Sequence, residues 1–141
     1  MNSDKSNIVI DTGTLISASF RIESIPSKAY FKALREFNVC ISEETLTELK
    51  TVMQREKFNK YLSLENRISF IELYQEQSTL YEVKESVFDC RDPNDNKFLE
   101  LALTVQAEII ISSDEDLFIL NPYRNIAILK PAEFLNLYID S

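Results

Sequence analysis

The sequence predicts an α/β fold, a three-layer α/β/α sandwich around a central, mainly parallel sheet. Three observations predict it. Short apolar strands alternate with amphipathic helical stretches along the whole chain, a pattern that calls for parallel strands joined by helices on both faces. The clearest strands are continuously apolar rather than alternating, as strands covered on both sides are. A length of 141 residues with 45% apolar side chains suits one domain with one core, spanning 1–141.

The elements follow in order. Asn7 to Asp11 reads as a buried strand ending in an acid, and its apolar character puts it at the centre of the sheet. Gly13 then supplies a turn conformation that other residues resist. Helical patterning runs over Thr14 to Phe20 and resumes from Pro26 to about Phe37. Asn38 to Ile41 is a second strand. Ser42 is placed to cap a helix with Glu43 and Glu44 in its first turn, and Leu46, Leu49, Val52 and Met53 form its apolar stripe. A helix over Leu64 to Gln77 turns Ile68, Ile71 and Tyr74 or Gln75 inward. Leu80 to Val83 is a weak strand. Asp92-Pro93 opens a helix that buries Phe98, Leu101, Ala102 and Val105. Glu108 to Ser112 is a buried strand, Ser113 caps a short helix through Leu117, Asn125 to Leu129 is a strand, and Pro131 to Tyr138 is a last helix.

Absent residue types narrow the chemistry. The chain has no histidine, which excludes Ser-His-Asp and Cys-His catalysis and histidine-ligated zinc. One glycine excludes Gly-rich nucleotide loops, which need several. The two cysteines, Cys40 and Cys90, belong to no C-x-x-C pair and read as buried free thiols, consistent with a cytoplasmic location. No apolar run is long enough to span a bilayer. Carboxylates are the abundant reactive groups, 23 Asp and Glu against 15 Lys and Arg. Clustered without soft ligands, they suit hard cations such as Mg²⁺ or Mn²⁺. The net charge of −8 opposes general nucleic-acid binding, so basic residues must be grouped locally if the chain binds one.

Ligands of open parallel sheets bind beyond the C-terminal ends of the strands. Asp11 closes the first strand, and Asp114 and Asp116 follow the Ile109–Ile111 strand. Asp92 and Asp95 stand at a helix N-terminus, and Glu48 lies about two turns into the helix after the second strand. Acids so gathered repel one another and raise one another's pKa unless a cation sits among them. Each also has a plainer reading. Asp92 suits an N-cap, Asp95 and Asp116 suit capping boxes with Asp92 and Ser113, and Glu48 suits a solvated helix face. Asp11 is the hardest to explain so, because an unpaired carboxylate ending a buried strand is costly.

The order of motifs resembles the PIN domain family, and within it the toxin components of bacterial toxin–antitoxin pairs. The resemblance runs from Ile8 to about Leu137. It rests on Ile8-Val-Ile-Asp11-Thr12, Ile41-Ser-Glu-Glu-Thr-Leu-Thr-Glu48-Leu, Arg91-Asp-Pro-Asn-Asp95-Asn-Lys-Phe-Leu-Glu-Leu-Ala102 and Ile111-Ser-Ser-Asp114-Glu-Asp116-Leu, with Ile128-Leu-Lys-Pro131 closing the pattern. It implies a metal-dependent endoribonuclease using Mg²⁺ or Mn²⁺. Asp11, Glu48, Asp95 and Asp114 are then the catalytic, metal-binding acids. Asp116 is a further metal residue and Asp92 an auxiliary one, with Thr12 and Ser112 as supporting hydroxyls. Gly13 stands where the family's Asp-Thr-Asn motif has its Asn, which bears on efficiency and removes no expected ligand.

Lys50, Arg55, Lys57 and Lys60 are candidates to grip the RNA backbone. The resemblance also implies a protein antitoxin that blocks the active site, and the charge of the acidic cleft suits an Arg or Lys from such a partner pairing with Asp11 or Asp114. It further implies a homodimer, and the aromatic content around Ile68 to Tyr74 or Phe31 to Phe37 marks the face. Two other readings compete. Asp11-Thr-Gly-Thr-Leu15 faintly resembles the start of a haloacid-dehalogenase phosphatase, although its second Asp and its Lys are missing. A PIN fold that has lost activity and serves as a binding module is the other.

Overall fold

The computed structural model describes residues 5–137. Its centre is a five-stranded, all-parallel sheet in the order β3-β2-β1-β4-β5, with β1 Asn7–Ile10, β2 Asn38–Ile41, β3 Thr79–Leu80, β4 Ile109–Ile111 and β5 Ala127–Leu129. The first strand is central, as its apolar character predicts. Both faces are buried, and the side chains alternate between two cores. Ile8, Ile10, Val39, Ile41, Ile109 and Ile111 face one core, while Val9, Cys40 and Ile110 face the other.

The first core is covered by α1 Thr12–Phe20, α2 Ile25–Glu36, α3 Glu43–Met53, α4 Leu64–Gln77 and α7 Pro131–Leu137. The second is covered by α5 Asn96–Val105 and α6 Glu115–Phe118. The result is the expected three-layer sandwich. Because β1, β2 and β4 all point the same way, the segments that follow them emerge at one edge of the sheet. Cys40 and Cys90 are buried and free. Among the described residues, no helix is long and apolar enough to cross a membrane.

Several elements differ locally from the sequence reading. β3 is Thr79–Leu80 rather than Leu80 to Val83. Tyr81 N–H still donates to Ile41 O at 2.9 Å, but β2 ends there because Ser42 turns the chain into α3, and nothing remains to pair. β5 starts two residues later than expected, since Arg124 and Asn125 take left-handed conformations in the tight turn bridging Tyr123 and Ile126. Asp114, not Ser113, caps α6, accepting from Asp116 N–H at 2.9 Å. Gly13 is an ordinary residue of α1 without positive φ, and a Cβ there would meet nothing within 4 Å. On α4, Ile68 faces solvent and Arg67 is buried instead. The Arg67 guanidinium satisfies carbonyls of the connection from α3, which draws it inward. α7 is described to Leu137, and Tyr138 lies outside the described residues.

Candidate metal-binding active site

Asp11, Glu48, Asp95 and Asp114 line a single cavity of about 350 Å³ at the C-terminal edge of the sheet, with Thr12, Gly13 and Ser17 on the α1 side. Each acid arrives by a different route. Asp11 directly follows β1 and is also the N-cap of α1, its Oδ1 accepting from Thr14 N–H at 2.9 Å. Asp114 follows β4 and caps α6. Asp95 closes the 3₁₀ turn Pro93–Asp95 that leads into α5, a turn capped by Asp92. Glu48 projects from the second turn of α3.

A chain of hydrogen bonds sets these groups. Ser112 Oγ donates to Asp11 Oδ2 at 2.5 Å and accepts from Asp114 N–H at 2.9 Å, tying the ends of β1 and β4 together. Thr12 Oγ1 donates to Glu48 Oε1 at 2.6 Å, while Lys97 Nζ donates to Glu48 Oε2 at 2.7 Å. Lys97 is the residue that sequence reasoning missed. It stands two positions after Asp95, and only the packing of α5 beside α3 brings it to Glu48. Asp116 does not line the cavity. It pairs with Arg91 at 2.7 Å, although its carboxylate joins those of Asp92 and Asp95 in a group whose ligand oxygens lie within 4.8 Å of one another. Asp95 therefore belongs to both sets of acids.

The electrostatics are strained. Burial pushes Asp11 above the usual carboxylate range, opposed by its bonds from Ser112 and Thr14. Burial first, and then the facing Asp114 carboxylate, push Asp95 up to about 8. Asp95 Oδ2 is buried without a hydrogen-bond partner. An orphaned buried carboxylate oxygen among hard oxygen donors is what a divalent cation satisfies, so the residues fit Mg²⁺ or Mn²⁺.

The candidate basic residues are divided. Lys50 lies about 200° around α3 from Glu48 and faces away from the cavity. Arg55, Lys57 and Lys60 are exposed on the connection between α3 and α4.

The raised acids give a signed pH dependence. A carboxylate whose folded-state pKa is raised stabilises the fold below its unfolded value, and that stability is lost as pH rises through the folded value. In EDTA the melting temperature therefore rises as pH falls from about 8 toward about 5. Asp95→Asn flattens this dependence and is more stable than wild type at the upper end by about 1–3 kcal/mol. Thermal melts of both proteins across that range check it, and a wild-type melting temperature that increases with pH contradicts it.

Comparison with known proteins agrees with this architecture. Residues 7–116 match the PIN domain family. An uncharacterised protein of Methanocaldococcus jannaschii is 33% identical, over 96% of this chain and 93% of its own length. Among solved structures, PAE2754 of Pyrobaculum aerophilum superposes with a TM-score of 0.64 at 10% identity, covering 96% of this chain and 91% of that one. VapBC2 of Rickettsia felis, solved bound to a DNA fragment from its promoter, gives 0.60 at 12% identity, covering 88% and 98%. These two likenesses are of fold. The family match leaves the faint haloacid-dehalogenase resemblance without support. The chain belongs to the PIN domain family, whose members are generally nucleases.

Proposed function

We propose that this chain is a divalent-metal-dependent endoribonuclease, with Asp11, Glu48, Asp95 and Asp114 as its catalytic, metal-holding acids and Asp116 completing the set through Asp95. The observation that carries this reading is the buried, unpartnered Asp95 Oδ2 inside a cavity lined by three further carboxylates. Mg²⁺ or Mn²⁺, when bound, supplies Lewis-acid polarisation of a phosphate and activation of water.

The chain's own residues do the rest. Ser112 and Thr12 hold Asp11 and Glu48 in fixed orientation, so that little rearrangement accompanies substrate entry. Lys97, held by the cavity-lining Glu48 at 2.7 Å, meets the negative charge of a phosphodiester. Hydrolysis adds water to phosphorus and breaks one backbone P–O bond, whose oxygen leaves with a proton.

Incubating RNA with the protein and Mg²⁺, Mn²⁺ or EDTA tests this. Cleavage is expected with metal only, and Asp11→Asn or Asp95→Asn lowers it by about 100-fold or more. Metal-independent cleavage, or full activity in either variant, overturns the assignment. An intact cleft without any cleavage favours the binding-module reading.

The reading extends to partners and place. Likeness of fold to a VapBC2 structure supports a toxin role, with a protein antitoxin as partner and the cytoplasm as location. A basic side chain from that partner pairs with Asp11 or Asp114. Phe31 and Ile68, about 45% and 42% exposed, are apolar positions on the faces expected to support a homodimer. Light scattering checks both, on the protein alone and with its neighbouring gene product. A dimer and a stable complex are expected, and a monomer that binds no such product removes the dimer and the toxin role while leaving the nuclease.

A further inference from the structure

The connection between α3 and α4 carries features that its length does not require. Arg67 is fully buried and has no carboxylate partner among the described residues. Its donors are spent on this connection. They reach Met53 O at 2.6 Å, Arg55 O at 3.1 Å, Leu62 O at 3.0 Å and the Asn59 side chain. A buried charge is costly, and here it fixes the shape of one surface loop.

What that loop presents is aromatic and basic. Tyr61 is 56% exposed, yet its ring stacks on Phe20 with centroids 5.1 Å apart at 25°. Phe58 also packs against Phe20, with ring centroids 5.3 Å apart. Lys57 Nζ lies 5.2 Å from the Phe58 ring and Lys60 Nζ 5.1 Å from that of Tyr61. Arg55, Lys57 and Lys60 stand beside a single intervening acid, Glu56, in a chain whose net charge is −8. None of the three is in an ion pair among the described residues.

This surface is connected to the cavity. On α1, Gly13 and Ser17 stand one turn apart and are both exposed, and the exposed Arg21 follows the helix as its C-cap. Gly13 and Ser17 line the cavity itself, and Phe20 ends the same helix under Tyr61. The nine residues of α1 span about 13 Å, the length of about four stacked nucleotides at roughly 3.4 Å each.

We propose that the loop from Arg55 to Tyr61 is a single-stranded RNA platform, on which a base stacks against Tyr61 while Lys57 and Lys60 meet backbone phosphates, about four nucleotides from the bond positioned at the carboxylates. The proposal rests on the ribonuclease reading of the cavity. Stacking on an exposed, pre-oriented aromatic ring beside lysines is how sequence-tolerant binding of single strands works. A base that takes the place of Lys60 over the ring frees that ammonium for the adjoining phosphate.

The chain has no tryptophan, so Tyr61→Trp introduces a unique reporter. Titrating an eight-nucleotide oligouridylate into the full-length variant in EDTA, where the metal-dependent cleavage does not intervene, is expected to quench the indole saturably. Tyr61→Ala weakens binding of the same oligomer by about tenfold or more, and Tyr61→Phe restores it. Replacing Lys57 and Lys60 with Gln makes the dependence of log affinity on log salt shallower by about 1.4. With metal present, Tyr61→Ala raises KM and leaves kcat. Binding or cleavage of RNA with an unquenched indole overturns the platform and leaves the ribonuclease standing, whether or not a protein partner covers the loop. RNA neither bound nor cut removes both.

Discussion

Carboxylates gathered at one edge of a parallel sheet are the constraint on which the rest of the molecule turns. Parallel strands bring Asp11 and Asp114 to the same edge, and burial then makes the charge of Asp11 expensive. The fold answers with dipoles and hydrogen bonds. Asp11 caps α1, Asp114 caps α6 and Asp92 caps the turn before α5, so backbone N–H groups face three of the acids. Ser112 donates to Asp11, and Lys97 with Thr12 satisfies both oxygens of Glu48. Among the four cavity acids, Asp95 keeps a buried oxygen with no partner. The cluster is thus compensated everywhere except at the position common to both sets of acids.

Much of this was legible in the sequence. The strands could be read because β1 and β4 are apolar at every buried position, a pattern that only two-sided burial explains. The acids could be read because they end strands or open helices. Asp11 and Asp114 also serve as caps, which the sequence reading did not foresee, since one carboxylate oxygen of each caps a helix while the residue lines the cavity.

Features that depend on packing at long range were not legible. Lys97 meets Glu48 across 49 positions of sequence, and nothing local marks the pair. Arg67 occupies an inward position of α4 that apolar patterning assigned to Ile68, because the carbonyls of an irregular loop needed donors more than the core needed another branched chain. Asp116 reads as one of the site acids, and its carboxylate does join those of Asp92 and Asp95, but its pairing with Arg91 and its place outside the cavity lining depend on packing that no local pattern shows. Gly13 suggests a special backbone and has none, so the change from the family's Asn is one of side-chain chemistry and not of conformation.

Direct titration of Mn²⁺ into the metal-free protein, followed by calorimetry, tests the metal site without relying on any substrate. Saturable binding is expected, with protons released near neutral pH as Asp95 ionises, since its pKa lies well above the usual carboxylate range. Asp95→Asn should lose both the affinity and the proton release. Wild-type protein that binds Mn²⁺ no better than Asp95→Asn would contradict the assignment of this cavity as a metal site.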